Sequence, residues 1–119
     1  MTQSYLGIEI GGTKLQIVAG DESLEVRERR RITVDPAAGA AGIRRQIEAI
    51  LPELLAKWRP AAVAVGFGGP VDWKTGRICR SHQIAGWSEF ALGEWLRSLT
   101  RLPVRVDTRH DAGAATSRG

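Results

Sequence analysis

Leu6, Ile8 and Ile10 alternate with Gly7 and Glu9, and Leu15, Ile17 and Ala19 repeat the alternation beyond Gly11-Gly12-Thr13-Lys14. A period of two marks strands with one buried face, and paired glycines supply a tight turn, so the opening predicts a β-hairpin. Residues 24–34 form a third, more polar strand on Leu24, Val26, Ile32 and Val34. Its many charges suit a sheet edge, where they discourage pairing with other chains. After Pro36 and Gly39 the period changes: Ile43, Ile47, Ile50, Leu51, Leu54, Leu55 and Trp58 recur at spacings of three and four, the stripe of a helix packed on a sheet. Pro52 interrupts that stripe and cannot donate to the Glu48 carbonyl, so a kink or a break is expected there.

Ala62, Val63, Ala64, Val65, Gly66 and Phe67 are small or apolar throughout, which predicts a central parallel strand buried on both faces. Gly68-Gly69-Pro70 is a turn, and residues 71–78 read as a small hairpin closed near Thr75-Gly76. Ser88 suits a helix N-cap with Glu89 in the first turn and Trp87 stapled onto Leu92; Phe90, Trp95, Leu96 and Leu99 would be the buried face. Val104 and Val106 make a last short strand after Pro103, and Asp111-Ala112-Gly113-Ala114-Ala115 opens a third helix. Strand-helix-strand units require parallel pairing and right-handed crossovers, whereas the opening strands pair antiparallel. The pattern therefore predicts a mixed five-stranded sheet with helices on its faces.

A chain of 119 residues allows one ordinary domain, and its 43% apolar and 25% charged residues are those of a globular protein. The net charge of +4 is dispersed except for Arg27-Glu28-Arg29-Arg30-Arg31, which falls on the amphipathic third strand and reads as a solvated face, not a nucleic-acid patch. The lone Cys79 makes neither an internal disulfide nor a metal site and points to a reducing compartment. No apolar run approaches the roughly 20 residues of a membrane span, and the first four residues lack the basic and apolar regions of a signal peptide, so a cytoplasmic location is expected.

Candidate chemistry centres on Gly7-Ile8-Glu9-Ile10-Gly11-Gly12-Thr13-Lys14. Glycines at a strand turn let backbone N–H groups approach an anion, and Thr13 and Lys14 add a hydroxyl and a positive charge suited to phosphate. The spacing is not that of a P-loop, and a strand instead of a helix follows, which excludes the dinucleotide fingerprint. On spacing alone, a plain hairpin with Lys14 solvated at its tip explains these residues equally well.

This motif, followed by Gly66-Phe67-Gly68-Gly69-Pro70-Val71-Asp72 with Gly76 beyond it and Gly86-Trp87 ahead of a helix, closely resembles the ROK family, named for repressors, open reading frames and kinases. The likeness runs in order from about residue 5 to about residue 106. It implies an α/β fold: an actin-like ATPase (ribonuclease H-like) domain with a mixed five-stranded sheet in the order 3-2-1-4-5 and flanking helices. Residues 1–106 would be the N-terminal domain, residues 107–119 an altered or truncated tail, and the C-terminal domain would be absent. The implied activity is phosphoryl transfer from ATP, with Mg²⁺, to a hydroxyl of glucose or an N-acetylated hexose. Gly11, Gly12, Thr13 and Lys14 would contact the nucleotide phosphates. Glu9 would face the metal through water where much of the family has Asp, and Gly68 and Gly69 would lie on the sugar side.

The resemblance is weakest near the C-terminus. The family carries Asn-Asp-Ala-Asn after the strand that follows the second helix, its Asp taking the proton from the attacking sugar hydroxyl; here His110-Asp111-Ala112-Gly113 keeps only Asp-Ala, about two residues late. Asp111 as the base, Asp111 as an acid at a helix N-terminus, and Asp107 in the catalytic position all stay open, because a base must reach its proton within about 2.6–3.2 Å. His110 is grouped with the sugar-side residues by position alone. Cys79, His82 and His110 do not reproduce the family's zinc site of one His and three Cys, and full-length members can form homodimers. A chain of this length alone is expected to be inactive or very feeble. Two further readings stand: a sugar-responsive regulator of the same family, which would need a helix-turn-helix ahead of the first strand, and a non-catalytic remnant.

Overall fold

The computed structural model describes residues 3–11, 14–23, 25–67, 71–72, 77–78 and 91–108. Alternation at the start of the chain becomes β1 (Ser4–Ile10) and β2 (Lys14–Asp21), paired antiparallel with Ile10 opposite Leu15 and Ser4 opposite Asp21. β3 (Val26–Thr33) pairs antiparallel with β2 and stands at the sheet's edge. A 3₁₀ turn at Pro36–Ala38 leads into α1 (Gly39–Trp58), which returns the chain to β4 (Ala62–Phe67), parallel to β1. Val71–Asp72 (β5) and Arg77–Ile78 (β6) form the small antiparallel ribbon, α2 spans Leu92–Thr100, and β7 (Val104–Thr108) joins parallel to β4. The five-stranded sheet runs β3-β2-β1-β4-β7, the order expected, with both parallel and antiparallel pairs.

One face of this sheet is a continuous apolar surface. Leu6, Ile8 and Ile10 line up with Ala19, Ile17 and Leu15 on one side and with Val63, Val65 and Phe67 on the other, all buried. Val104 and Val106 extend the rows on β7. Ile43, Ile47, Leu51 and Leu54 of α1 and Leu92 and Leu96 of α2 complete the same core. Periods of two and of 3.6 thus meet on one plane, which is what makes both helices pack.

Four expectations are corrected. Of the kink or break expected at Pro52, the break does not occur: α1 is continuous through it, because Leu51 and Leu54 are anchored in the core on either side and exposed Pro52 forfeits one hydrogen bond. The second helix starts later than Ser88: its N-cap is Ala91, whose carbonyl accepts from the Trp95 N–H at 3.0 Å, with no side-chain cap. Leu92, Gly93, Leu96 and Thr100 are its buried line, while Trp95 and Leu99 only flank the core, since a spacing of four selects the former as the inward stripe. Thr100 Oγ1 is satisfied by donating to the Leu96 carbonyl at 2.7 Å and accepting from the Leu102 N–H at 3.2 Å. β4 is central in the parallel part but only partly covered on its second side: outward-facing Gly66 is buried, whereas Ala64 is exposed, because α1 and α2 both pack on the opposite face. The third helix, the 68–70 turn, Leu24, Trp87 and the Thr75-Gly76 closure lie outside the described residues.

Both helices end on an arginine in the left-handed conformation, Arg59 at φ 45° and Arg101 at φ 59°, whose N–H groups cap Leu55 and Arg97 carbonyls. α1 is also stitched to β3 by polar groups. Glu28 accepts from Trp58 Nε1 and Lys57 Nζ, each at 2.9 Å, and from Arg30 Nε at 2.7 Å, while Arg30 reaches Glu53 at 2.9 Å. These donors, Lys57 first and then Trp58 and Arg30, hold the Glu28 carboxyl down at about 2. At the far end of β2, Ser23 and Arg27 bring Asp21 to about 2 as well, Arg27 lying 2.7 Å away. Among the described residues no helix is long and apolar enough to cross a membrane.

Candidate functional site

The phosphate-binding candidates sit where β1 turns into β2. The Gly11 N–H donates to the Lys14 carbonyl at 3.0 Å, which closes the hairpin between the ends of β1 and β2. That amide is committed to closing the turn. Gly12 and Thr13 themselves lie outside the described residues. β1, β4 and β7 are parallel, and Ile10, Phe67 and Thr108 fall in one cross-strand row. The hairpin, the chain continuing into Gly68 and Gly69, and the chain leading to His110 and Asp111 therefore all depart from a single edge of the sheet. That is the carboxyl edge, where open α/β sheets take their ligands. Gly68, Gly69, His110 and Asp111 are outside the described residues, so the topology places their point of departure alone.

Glu9 lies one residue before that row, on the face of the sheet that carries no helix among the described residues. It is half-buried, with Gln16 opposite it on β2 and Gly66 opposite it on β4. Gly66 contributes no side chain, and beyond it β7 presents the Asp107 position in register. The described residues contain no group of three His, Cys, Asp or Glu side chains able to hold a metal ion by themselves. A carboxylate at Glu9 fits a cation completed by water and phosphate oxygens, the habit of Mg²⁺.

Lys14 is exposed, and its Nζ donates to Thr33 Oγ1 of β3 at 3.2 Å. An ammonium has three donors, so one bond to a neutral hydroxyl leaves its charge and two protons for an anion. In the next row Arg31 Nε donates to Gln16 Oε1 at 2.8 Å, beside Glu9. Thr33 and Arg31 escape a motif search because β3 lies far along the chain from the glycines, and Gln16 gains its role only from Arg31 across the β2–β3 ladder. The available signal was the alternation itself, which pairs the end of the third strand with the start of the second. Two surface hollows lie elsewhere, one of about 470 Å³ bordered by Tyr5, Val18 and Val26 and one of about 300 Å³ beside Asp35 and Gly42. Neither is lined by Glu9, Gly11 or Lys14.

The comparisons with known proteins agree with the fold. The ROK family model matches residues 5–117. The chain is 30% identical over 116 residues to a glucokinase of Halalkalibacterium halodurans, covering 93% of this chain and 34% of that protein. It is 33% identical over 100 residues to an N-acetylmannosamine kinase of Citrobacter koseri, covering 84% and 34%. Among solved structures, a ROK family glucokinase from Streptomyces griseus in complex with glucose and AMPPNP superposes with a TM-score of 0.76 at 26% identity, over 91% of this chain and 33% of that one. The chain thus spans about a third of the length of the relatives it matches. With the family model matched over nearly the whole chain and the five-stranded order in place, this chain belongs to the ROK family.

Proposed function

We propose that these residues form the nucleotide-gripping part of an ATP-dependent sugar kinase that transfers the γ-phosphoryl group to a hydroxyl of a hexose or an N-acetylhexosamine. The observation that carries this reading is the hairpin closed between Gly11 and Lys14 at the carboxyl edge shared by β1, β4 and β7. Gly11 closes the turn, Gly12 and Thr13 offer amides and a hydroxyl to the phosphates, and Lys14 supplies positive charge. Glu9 would hold Mg²⁺ through water; the bound ion would neutralise charge developing on the phosphate oxygens. Gly68 and Gly69 serve the sugar side with His110 near them, and Asp111 takes the hydroxyl proton, Asp107 being its competitor for that position. Transfer of this kind rests on positioning and charge neutralisation more than on covalent chemistry by the protein. The relatives named as glucokinase and N-acetylmannosamine kinase support the sugar class.

Titration of the 119-residue chain with AMPPNP and Mg²⁺ tests the reading. Saturable binding is expected, weakened about tenfold by Lys14→Ala through loss of one partly exposed charge contact, or ~1.4 kcal/mol. Binding that is absent, or unchanged by Lys14→Ala, overturns it.

A further inference from the structure

Lys14 and Arg31, near the hairpin, are held differently from the ion-paired cations of β3 and the end of α1, although remote Arg97 also meets a neutral acceptor, the Val104 carbonyl at 3.3 Å. Arg27 pairs with Asp21 and Glu25, Arg30 with Glu28 and Glu53, and Lys57 with Glu28, so each meets a carboxylate. Lys14 and Arg31, in the two rows next to the turn, instead meet neutral acceptors, Thr33 Oγ1 and Gln16 Oε1. A carboxylate at Thr33 would hold Lys14 more firmly but cancel its charge and repel an approaching phosphate. A hydroxyl holds the ammonium and leaves the charge in place, keeping its own proton as a further donor.

We infer that Thr33 is a positioning residue: from the edge strand, its hydroxyl orients the Lys14 ammonium for the nucleotide phosphates while preserving its positive charge. The inference rests on the phosphate-binding reading of the hairpin. A free lysine side chain samples many rotamers, and an anion that binds it must order it. Fixing that side chain beforehand removes part of the ordering cost and so tightens binding. The register makes this possible, because Thr33 is directly opposite Lys14 in the β2–β3 ladder and both side chains are on the exposed face.

The test is a set of titrations of the full 119-residue chain with AMPPNP and Mg²⁺, each variant's fold being checked by its thermal melt. Thr33→Val drops the hydroxyl while keeping a β-branched strand former, and is expected to weaken affinity about two- to fivefold, the worth of one hydrogen bond. Thr33→Ser keeps the hydroxyl and restores affinity. Thr33→Asp weakens it about tenfold by neutralising Lys14. In a Lys14→Met background Thr33→Val has no further effect, which a merely structural role would not produce. Equal losses with and without Lys14, or failure of Thr33→Ser to rescue, overturn the inference. If Lys14→Met weakens binding while Thr33→Val does not, the phosphate reading survives and the role of Thr33 falls; if Lys14→Met changes nothing, both fall.

Discussion

The two faces of the same five strands are built on opposite rules. The inner face is apolar along β1, β2, β4 and β7, from Leu6 to Val106, and is covered by two helices, whereas the outer face carries Glu9, Lys14, Gln16, Arg31 and the small residues Gly7, Ala64 and Gly66. Stability therefore belongs to one side of the sheet and the candidate chemistry to the other side and its carboxyl edge. Even the polar groups divide this way: inner-face Glu28 and Arg30 join β3 to α1 as ion pairs, while outer-face Lys14 and Arg31 keep their charge on neutral acceptors.

Substitutions on adjacent residues test that division most sharply. Ile17→Ala, at a fully buried inner position, is expected to cost about 2–5 kcal/mol in denaturant unfolding, whereas Val18→Thr on the outer face should stay within about 0.5 kcal/mol. Comparable losses at the two positions would show that the outer face also carries a core. A smaller effect, about 1–3 kcal/mol, is expected for Gly42→Ala near the start of α1, although alanine is the better helix former. A Cβ there would come within 2.6 Å of the Ala38 Cβ, which has no flexible end to move; a stabilised variant would refute this tight entry into the helix.

Acid sharpens the comparison from the polar side. Glu28 and Asp21 are held at about 2, below their ordinary 4.5 and 3.8. Because the folded values are depressed, their stabilisation is fully present above about pH 4.5 and is lost as pH falls toward 2. Denaturation midpoints taken between pH 7 and pH 2 should fall through that window, and Glu28→Gln should flatten part of the slope. A slope unaltered by Glu28→Gln would mean that other carboxylates set the acid limit.

Legibility in the sequence followed the same division. Rows decided by one local period, such as Leu6-Ile8-Ile10 or Ile43-Ile47-Leu51-Leu54, were readable because alternation or a 3.6 stripe has a single solution. Sheet order followed from the connections and the resemblance. Pro52 does not break α1 because tertiary anchoring of Leu51 and Leu54 outweighs one lost hydrogen bond. Ala62–Phe67 misled because small side chains read as buried on both sides, although Ala64 is open to solvent here. At the site, Glu9, Gly11 and Lys14 were marked by their own motif, but Thr33 and Gln16 gain meaning only through register across β2 and β3, which no contiguous stretch displays.

The left-handed arginines that finish α1 and α2 leave room for engineering. Each precedes the return into a parallel strand, so both stand at the end of the sheet remote from the hairpin. A side chain bent into that region costs about 1–2 kcal/mol that glycine avoids, so Arg59→Gly and Arg101→Gly should each raise the melting temperature slightly while nucleotide affinity holds. Thermal hardening and ligand capture can then be tuned at opposite poles of the domain without trading one against the other.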